Sequence, residues 1–394
     1  MTRPLLVGAA IACALNASCA LFQPASEAPD YGRALPAGAD ALLLLGPDER
    51  RPDVRGTWFE RDEIMPALER SMAWTRTAHS NQFFPIAGID HERALQSLER
   101  FAELLETSPT ADAFARAFEA EFDVYKSAGW DGAGGGVLFT AYCTPLLAGS
   151  LRPTGEFDVP LHALPPDLVK APDGTILGQE TPQGLRPYPT RREILRDPAY
   201  APLEIVWLAD PIDAYIAHVN GSAFVELEDG SIARFGYAGK NGRPYTSLGK
   251  ALIEDGEVPA EEMSLASIRR WAKRNARKVD GYLARNESYV FFTPIEGNPR
   301  GSLNLEVTER RSLATDKTLF PRGALCFVEA ELPTPSGPAS PFRQLMLDQD
   351  TGGAIRTAGR ADIYLGVGPR AERLSGATRS EGQLYYFFLR RRAR

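Results

Sequence analysis

Apolar and polar positions alternate in two different ways along this chain. In the first third, apolar residues recur at helical spacing. Leu95, Leu98, Ala102 and Leu105 share one face with charges between them, and Phe114, Phe118 and Phe122 form a stripe at i, i+4 and i+8. Thr110 and Asp112 offer polar starts for the second of these helices. Both stripes predict helices that turn an apolar face to a core. From about residue 130 the pattern changes. The glycine-rich run Gly132 to Gly136 leads into Val137-Leu138-Phe139-Thr140-Ala141-Tyr142, which reads as a strand leaving a turn. Short β-type runs then recur at Glu204–Leu208, Ser222–Leu227, Tyr289–Thr293, Leu325–Glu331, Phe342–Leu347, Asp362–Leu365 and Leu384–Leu389, with turn residues between them. One helix interrupts them, Ser264 to Arg274, with Leu265, Ile268 and Trp271 on one side and Ser264 as its N-cap. The pattern predicts a mainly β, α+β chain with N-terminal helices. It lacks the regular strand–helix alternation of a doubly wound parallel sheet.

The first nineteen residues are of another kind. Arg3 is their only charge, and Leu5 to Leu15 is almost wholly apolar. That run has the length of a secretory signal core and is too short to span a bilayer core of about 30 Å. Ala17-Ser18-Cys19 follows, which resembles the site where a bacterial lipoprotein is cleaved and lipidated, although Asn16 stands where an apolar residue is usual. An ordinary cleaved signal with an incidental cysteine is the other reading. Ala20 gives no acidic retention signal of the Asp type, so lipidated Cys19 predicts an outer-membrane address on the periplasmic face. Residues 20–40, rich in Pro, Ala, Ser and Asp, read as a tether.

Composition narrows the function classes. The 394 residues carry a net charge of −7 with no long basic stripe interleaved with aromatics, so no nucleic-acid partner is expected. The four histidines (79, 91, 162 and 218) are scattered, and no Cys-x-x-Cys spacing occurs, which leaves a metal site or a Ser–His–Asp triad without support. Cys143 and Cys326 stand in apolar strand-like runs and read as buried free thiols.

Four segments, in order, carry a family resemblance. They are Phe139-Thr140-Ala141-Tyr142-Cys143-Thr144-Pro145; Val219-Asn220-Gly221-Ser222-Ala223 with Gly236 to Tyr245, which includes Asn241-Gly242-Arg243-Pro244-Tyr245; Asn286 to Phe292; and Arg311 to Asp316 with Asp350-Thr351-Gly352-Gly353 and Ala361-Asp362-Ile363-Tyr364-Leu365-Gly366. Together they resemble the membrane-bound lytic transglycosylase A (MltA) family and its C-terminal "3D" signature, whose three aspartates are here Asp316, Asp350 and Asp362. The resemblance implies a double-psi β-barrel with an inserted second β-barrel domain. It divides the chain into a signal (1–19), a tether (20–40), the first part of domain 1 (41–144), the insert (145–296) and the C-terminal part of domain 1 (297–394). It also implies a monomer without cofactor or metal, held to the membrane by its lipid, with peptidoglycan glycan strands as its partner.

The same resemblance assigns Asp362 as the catalytic residue, with Asp350 and Asp316 in support. Thr140, Tyr142, Asn220, Gly221, Ser222, Asn241, Tyr245, Gly352 and Gly353 are its expected substrate-binding positions. Glycoside hydrolysis ordinarily needs two carboxylates, about 5 Å apart for retention or 6.5–9.5 Å for inversion. A lytic transglycosylase instead lets the C6 hydroxyl of muramic acid attack C1 and close a 1,6-anhydro ring, so one carboxyl can give and then take the proton. Apolar Ala361, Ile363 and Tyr364 around Asp362, and a second carboxylate at Asp350, predict a raised pKa. Other readings stay open. Asp350-Thr-Gly-Gly also reads as a turn, Asp316 as a surface pair with Lys317 or a loop hydrogen-bonder, and Tyr142 as core. Ala141, Cys143, Asn220 and Ala223 depart from the family pattern. They leave room for a peptidoglycan-binding lipoprotein that keeps the fold without turnover, or for a hydrolase of another glycan that draws its second carboxylate from Glu226, Glu228 or Asp229.

Overall fold

The computed structural model describes residues 28–391 apart from 172, 173, 336 and 354. The signal, Cys19 and the start of the tether lie outside the described residues. In chain order the strands are β1 (Leu42–Leu44), β2 (Phe122–Ser127), β3 (Val137–Thr144), β4 (Leu146–Ser150), β5 (Val159–His162), β6 (Leu168–Lys170), β7 (Ile176–Thr181), β8 (Gly184–Arg186), β9 (Glu204–Leu208), β10 (Ser222–Glu226), β11 (Ile232–Lys240), β12 (Val290–Pro294), β13 (Ser312–Ala314), β14 (Leu325–Leu332), β15 (Ser340–Asp350), β16 (Arg360–Val367) and β17 (Ser380–Leu389). The α-helices are α1 (Arg55–Phe59), α2 (Arg61–Thr75), α3 (His91–Thr107), α4 (Ala111–Glu121), α5 (Arg191–Ile194), α6 (Pro211–Asn220), α7 (Leu248–Glu254), α8 (Leu265–Arg274), α9 (Ala276–Leu283) and α10 (Gly368–Ala377).

Six strands close a barrel in the order β3–β16–β13–β15–β14–β17 and back to β3, while β2 and β1 extend its sheet outward from β17. The pairs β3–β16 and β13–β15 are parallel and the others antiparallel. Closure depends on β17 changing partners. Gln383–Tyr386 pairs with β14, whereas Ser380–Gly382 pairs with β3. Period-2 alternation fills the interior with Val137, Phe139, Cys326, Val328, Ala361, Ile363, Leu384 and Tyr386. The outward-facing Leu325, Phe327, Leu345, Leu347, Tyr385 and Phe387 are buried as well, with Leu68, Phe101, Phe114 and Phe118 of α2, α3 and α4. Burial on both faces explains why β14 and β17 read as continuous apolar runs.

The chain leaves this barrel at Pro145 and returns near Ser312. Between them, a six-stranded sheet in the order β12-β11-β10-β4-β9-β5 curls until Ala163 bridges Phe292, which brings its two edges together as a second barrel. The strands β6–β8 form a small separate sheet, and α6 to α9 gather around Trp271, Tyr282 and Leu252.

Two expectations are corrected. More than one helix interrupts the β-rich half, since α6, α7, α9 and α10 lie there beside α8. The α6 segment carries its own stop and start signals: Asp210 caps the N-terminus, Pro211 follows it, and Gly221 ends the helix at φ 69°. Its Ile212, Tyr215 and Ile216 pack on the helical cluster. The Phe122 ring does stack on Phe118, but as the first residue of β2 and not the last turn of α4.

Candidate active site

Parallel pairing of β3 and β16 sets Asp362 opposite Thr140 and Tyr364 opposite Tyr142. Ala361 and Ile363 point into the barrel core, so alternation turns Asp362 and Tyr364 the other way, to the insert. On the other side of Asp362, Ala314 of β13 pairs with both Asp362 and Asp350. The two aspartates therefore flank one strand, with backbones about 10 Å apart at ordinary strand spacing.

The two carboxyls have different surroundings. Asp362 accepts a hydrogen bond from the Thr140 hydroxyl. Burial pushes its pKa up to about 6; the Arg360 guanidinium opposes this and the Asp350 charge adds to it. Asp350 is fully engaged. Its Oδ2 accepts from Tyr142 Oη at 2.8 Å, and its Oδ1 accepts from the backbone N–H groups of Ser302 and Thr351, each at 2.8 Å. Burial raises Asp350 as well, outweighing hydrogen bonds that favour the carboxylate. Burial, with the Asp350 charge and the hydrogen bond to it, holds the Tyr142 phenol well above its usual range.

A cavity of about 340 Å³ opens over Asp362 between the barrel and the insert. Of the expected binding positions, Tyr142, Asn220, Tyr245, Gly352 and Gly353 line it together with Asp350 and Asp362, and Thr140 touches Asp362 directly. Asn220, the last residue of α6, donates from Nδ2 to the Cys143 carbonyl at 3.2 Å and ties the insert to β3. Beyond Tyr142, Asn220 and Tyr245 the groove continues past Ala141, Cys143 and Leu248. Three of the family departures, Ala141, Cys143 and Asn220, thus stand along this groove, whereas Ala223 is buried in the insert core.

Four expected positions are not brought to the cavity. Gly221 ends α6 in the left-handed region and Ser222 is buried at the start of β10. Asn241 is a buried brace: Nδ2 donates to the Pro189 and Glu287 carbonyls at 2.9 Å each, and Oδ1 accepts from the Tyr289 N–H at 2.9 Å. Asp316 is the loop hydrogen-bonder of its two readings, with Oδ1 accepting from the Thr318 N–H and hydroxyl at 2.9 and 2.7 Å. Its neighbour Lys317 pairs instead with buried Asp348, which also accepts from Tyr386 and Thr315. Glu226, Glu228 and Asp229 lie at the strand end and turn after β10, away from the lining.

Sequence reasoning missed Arg191, His218, Asn286 and Ser288, which line the cavity from the insert. Arg191 and His218 stand on separate helices, and no local pattern marks either. Asn286 and Ser288 lie in the resemblance segment Asn286 to Phe292, in which no residue type by itself points to a role.

A closed six-stranded barrel, a second barrel inserted after its first strand, and two buried carboxyls, Asp350 and Asp362, both raised by burial in the groove between them, define a two-barrel groove protein with a carboxyl-bearing site. Residues 138–293 match the MltA specific insert domain and residues 311–388 the 3D domain, and the chain belongs to the MltA family. The membrane-bound lytic murein transglycosylase A of Escherichia coli (strain K12) is 32% identical over 256 residues, which are 64% of this chain and 65% of that relative, just under two thirds of its length. The crystal structure of a membrane-bound lytic murein transglycosylase from Agrobacterium tumefaciens superposes with a TM-score of 0.72 at 26% identity, covering 89% of this chain and 98% of that one. That of Escherichia coli MltA with bound chitohexaose gives 0.66 at 26% identity, covering 91% and 99%.

Proposed function

We propose that this chain is a lytic transglycosylase that cleaves the β-1,4 bond between N-acetylmuramic acid and N-acetylglucosamine in peptidoglycan, with Asp362 as its single acid/base. The observation that carries this reading is the pairing of a raised carboxyl, held among the described residues only by the Thr140 hydroxyl, with a second one whose oxygens already hold three hydrogen bonds. Such a site has one proton donor and no spare base for a water. Protonated Asp362 gives its proton to the glycosidic oxygen as the C1–O bond breaks. The resulting carboxylate then takes the proton from the C6 hydroxyl as O6 bonds to C1, which closes the 1,6-anhydro ring and restores the acid. Asp350 anchors the Tyr142 hydroxyl and raises Asp362 by its charge. The names of the relatives and the chitohexaose of one of them support a glycan in the groove.

In this reading the insert spans 145–296 within domain 1, and lipidated Cys19 holds a monomer at the periplasmic face of the outer membrane. The described residues contain no helix long and apolar enough to cross a membrane. Cys19→Ala should move the protein from the membrane to the soluble fraction, and unchanged retention refutes the anchor. The chemistry is tested by mass spectrometry of products from purified sacculi. Asp362→Asn should fold, bind sacculi and release anhydro-ended muropeptides at a rate lower by at least about 10²-fold. A folded variant with near-normal release, or a wild-type protein yielding only reducing ends, refutes the assignment.

A further inference from the structure

The cavity over Asp362 shares a wall with a second cavity of about 280 Å³ that runs into the insert between α5, α6 and α9. Arg191 and His218 are the two residues that line both. Each is almost completely buried, with exposures of 3% and 5%.

Arg191 donates from Nε to the Asn286 carbonyl at 3.1 Å and from Nη2 to the Ser288 carbonyl at 2.7 Å, and its guanidinium packs on the rings of Tyr215 and Tyr289. No Asp or Glu pairs with it among the described residues. Buried cations are normally matched by an anion, because neutral carbonyls and ring faces only partly replace the water that is lost. Two of its five N–H donors are used, which leaves three for a ligand. His218 accepts at Nδ1 from the Val290 N–H at 3.3 Å, which places the proton of the neutral ring on Nε2. That Nε2–H has no acceptor among the described residues. Here, then, a cation and a neutral donor line the cavity over Asp362, both short of acceptors.

We propose that Arg191 and His218 form a receptor for a carboxylate carried on the side branch of the glycan bound over Asp362, and that the cavity behind them takes the branch itself. The inference rests on the transglycosylase reading for the presence of that glycan. Muramic acid carries such a branch, a lactyl ether whose carboxylate is free in peptide-free strands and extends into an acidic peptide in intact ones. The second cavity suits it. Arg192 and Arg196 at its rim outnumber Asp280, and Leu195 and Leu283 give apolar wall for short aliphatic side chains.

The test is equilibrium binding by calorimetry to the Asp362→Asn protein, whose turnover is expected to be at least about 10²-fold slower. Three ligands of equal length are compared: chitohexaose, peptide-free peptidoglycan strands and peptide-bearing strands, the last two also with their carboxylates converted to carboxamides. The acid forms should bind at least about 10-fold tighter than the carboxamides, the scale of a charged hydrogen bond. A gain already complete in peptide-free strands assigns the lactyl carboxylate, and one confined to peptide-bearing strands assigns the peptide. Arg191→Gln should close the gap between acid and amide. Because Arg191 also braces two carbonyls, His218→Gln, which leaves that brace intact, provides a second variant and should narrow the same gap. Equal binding of acid and amide, or a gap untouched by both variants, overturns the receptor. Absence of anhydro products from the wild-type protein would overturn the transglycosylase reading alone, since the binding comparison needs no turnover.

Discussion

Asp362 is a carboxyl whose protonated form is favoured by folding. Its pKa rises from 3.8 to about 6, mainly through burial. A group raised in this way adds stability that is complete below its unfolded pKa and lost as pH climbs through the folded one. The window is therefore pH 4 to 6, and the loss on its alkaline side amounts to about 3 kcal/mol at roughly 1.4 kcal/mol per pKa unit. Asp362→Asn removes the titration. The variant should melt above the wild type at pH 8, and the advantage should fade toward pH 4. A melting difference that does not change between these pH values refutes a raised Asp362. In the proposed mechanism the same group sets the rate, since bond breaking there needs the acid form. Wild-type kcat should fall about tenfold per pH unit above pH 6. The thiols are the inert counterpart. Burial pushes Cys143 up to about 11 and Cys326 well above its usual value, and the two are unpaired. Neither should react quickly with a thiol reagent in the native protein, and Cys326, fully buried, should be the slower.

At the scale of elements, legibility followed period. The stripes of α3 and α4, the Ser264 cap of α8 and the two-residue alternation of β3 and β16 were readable because each is a local pattern. The capping box of α8, in which Ser264 and Ser267 exchange bonds with each other's backbone N–H, shows that signal at work. Barrel closure was not readable from the pattern, because it depends on a backbone passing close to another chain segment. At Gly382, where β17 leaves β14 for β3, an added Cβ would stand 2.2 Å from the Glu329 carbonyl oxygen. Backbone on both sides cannot yield as a flexible side chain does. Gly382→Ala should therefore lower the melting temperature by several degrees, equivalent to more than the about 1 kcal/mol of an ordinary glycine effect. Serine at the exposed, unobstructed Gly376 should leave it within experimental error.

For the whole molecule, the groove exists only while the two barrels keep their mutual position. The covalent links between them are the turn at Pro145 and the segment from Ile295 to Arg311. Noncovalent ties complete the frame. Arg70 of α2 holds Glu306 and Thr308 on the return segment, and Asn220 holds the Cys143 carbonyl. This is also why Arg191 and His218 could not be found from sequence, while Asp362 and Asp350 could. The aspartates share a signature within one barrel, whereas the insert residues reach the site through the packing of one barrel on the other. Arg269 of α8 is the tie that tests this. It bonds Asp213 of α6 at 2.6 Å and Glu372 of α10, joining the helices of the insert to a helix of the first barrel. The three side chains keep 20–28% exposure, so each pair is worth about 0.2–1 kcal/mol and the protein does not need the tie to fold. Arg269→Gln should therefore leave the melting temperature within a few degrees, while the KM for glycan strands rises about two- to fivefold and kcat changes less. Restoring the bridge with a reversed pair, Glu372→Arg in an Arg269→Glu background, should recover part of that loss, though Asp213 will repel the new glutamate. A fall in kcat with KM unchanged would mean that Arg269 acts on Asp362 through α10 and β16, and that the groove holds its width without it.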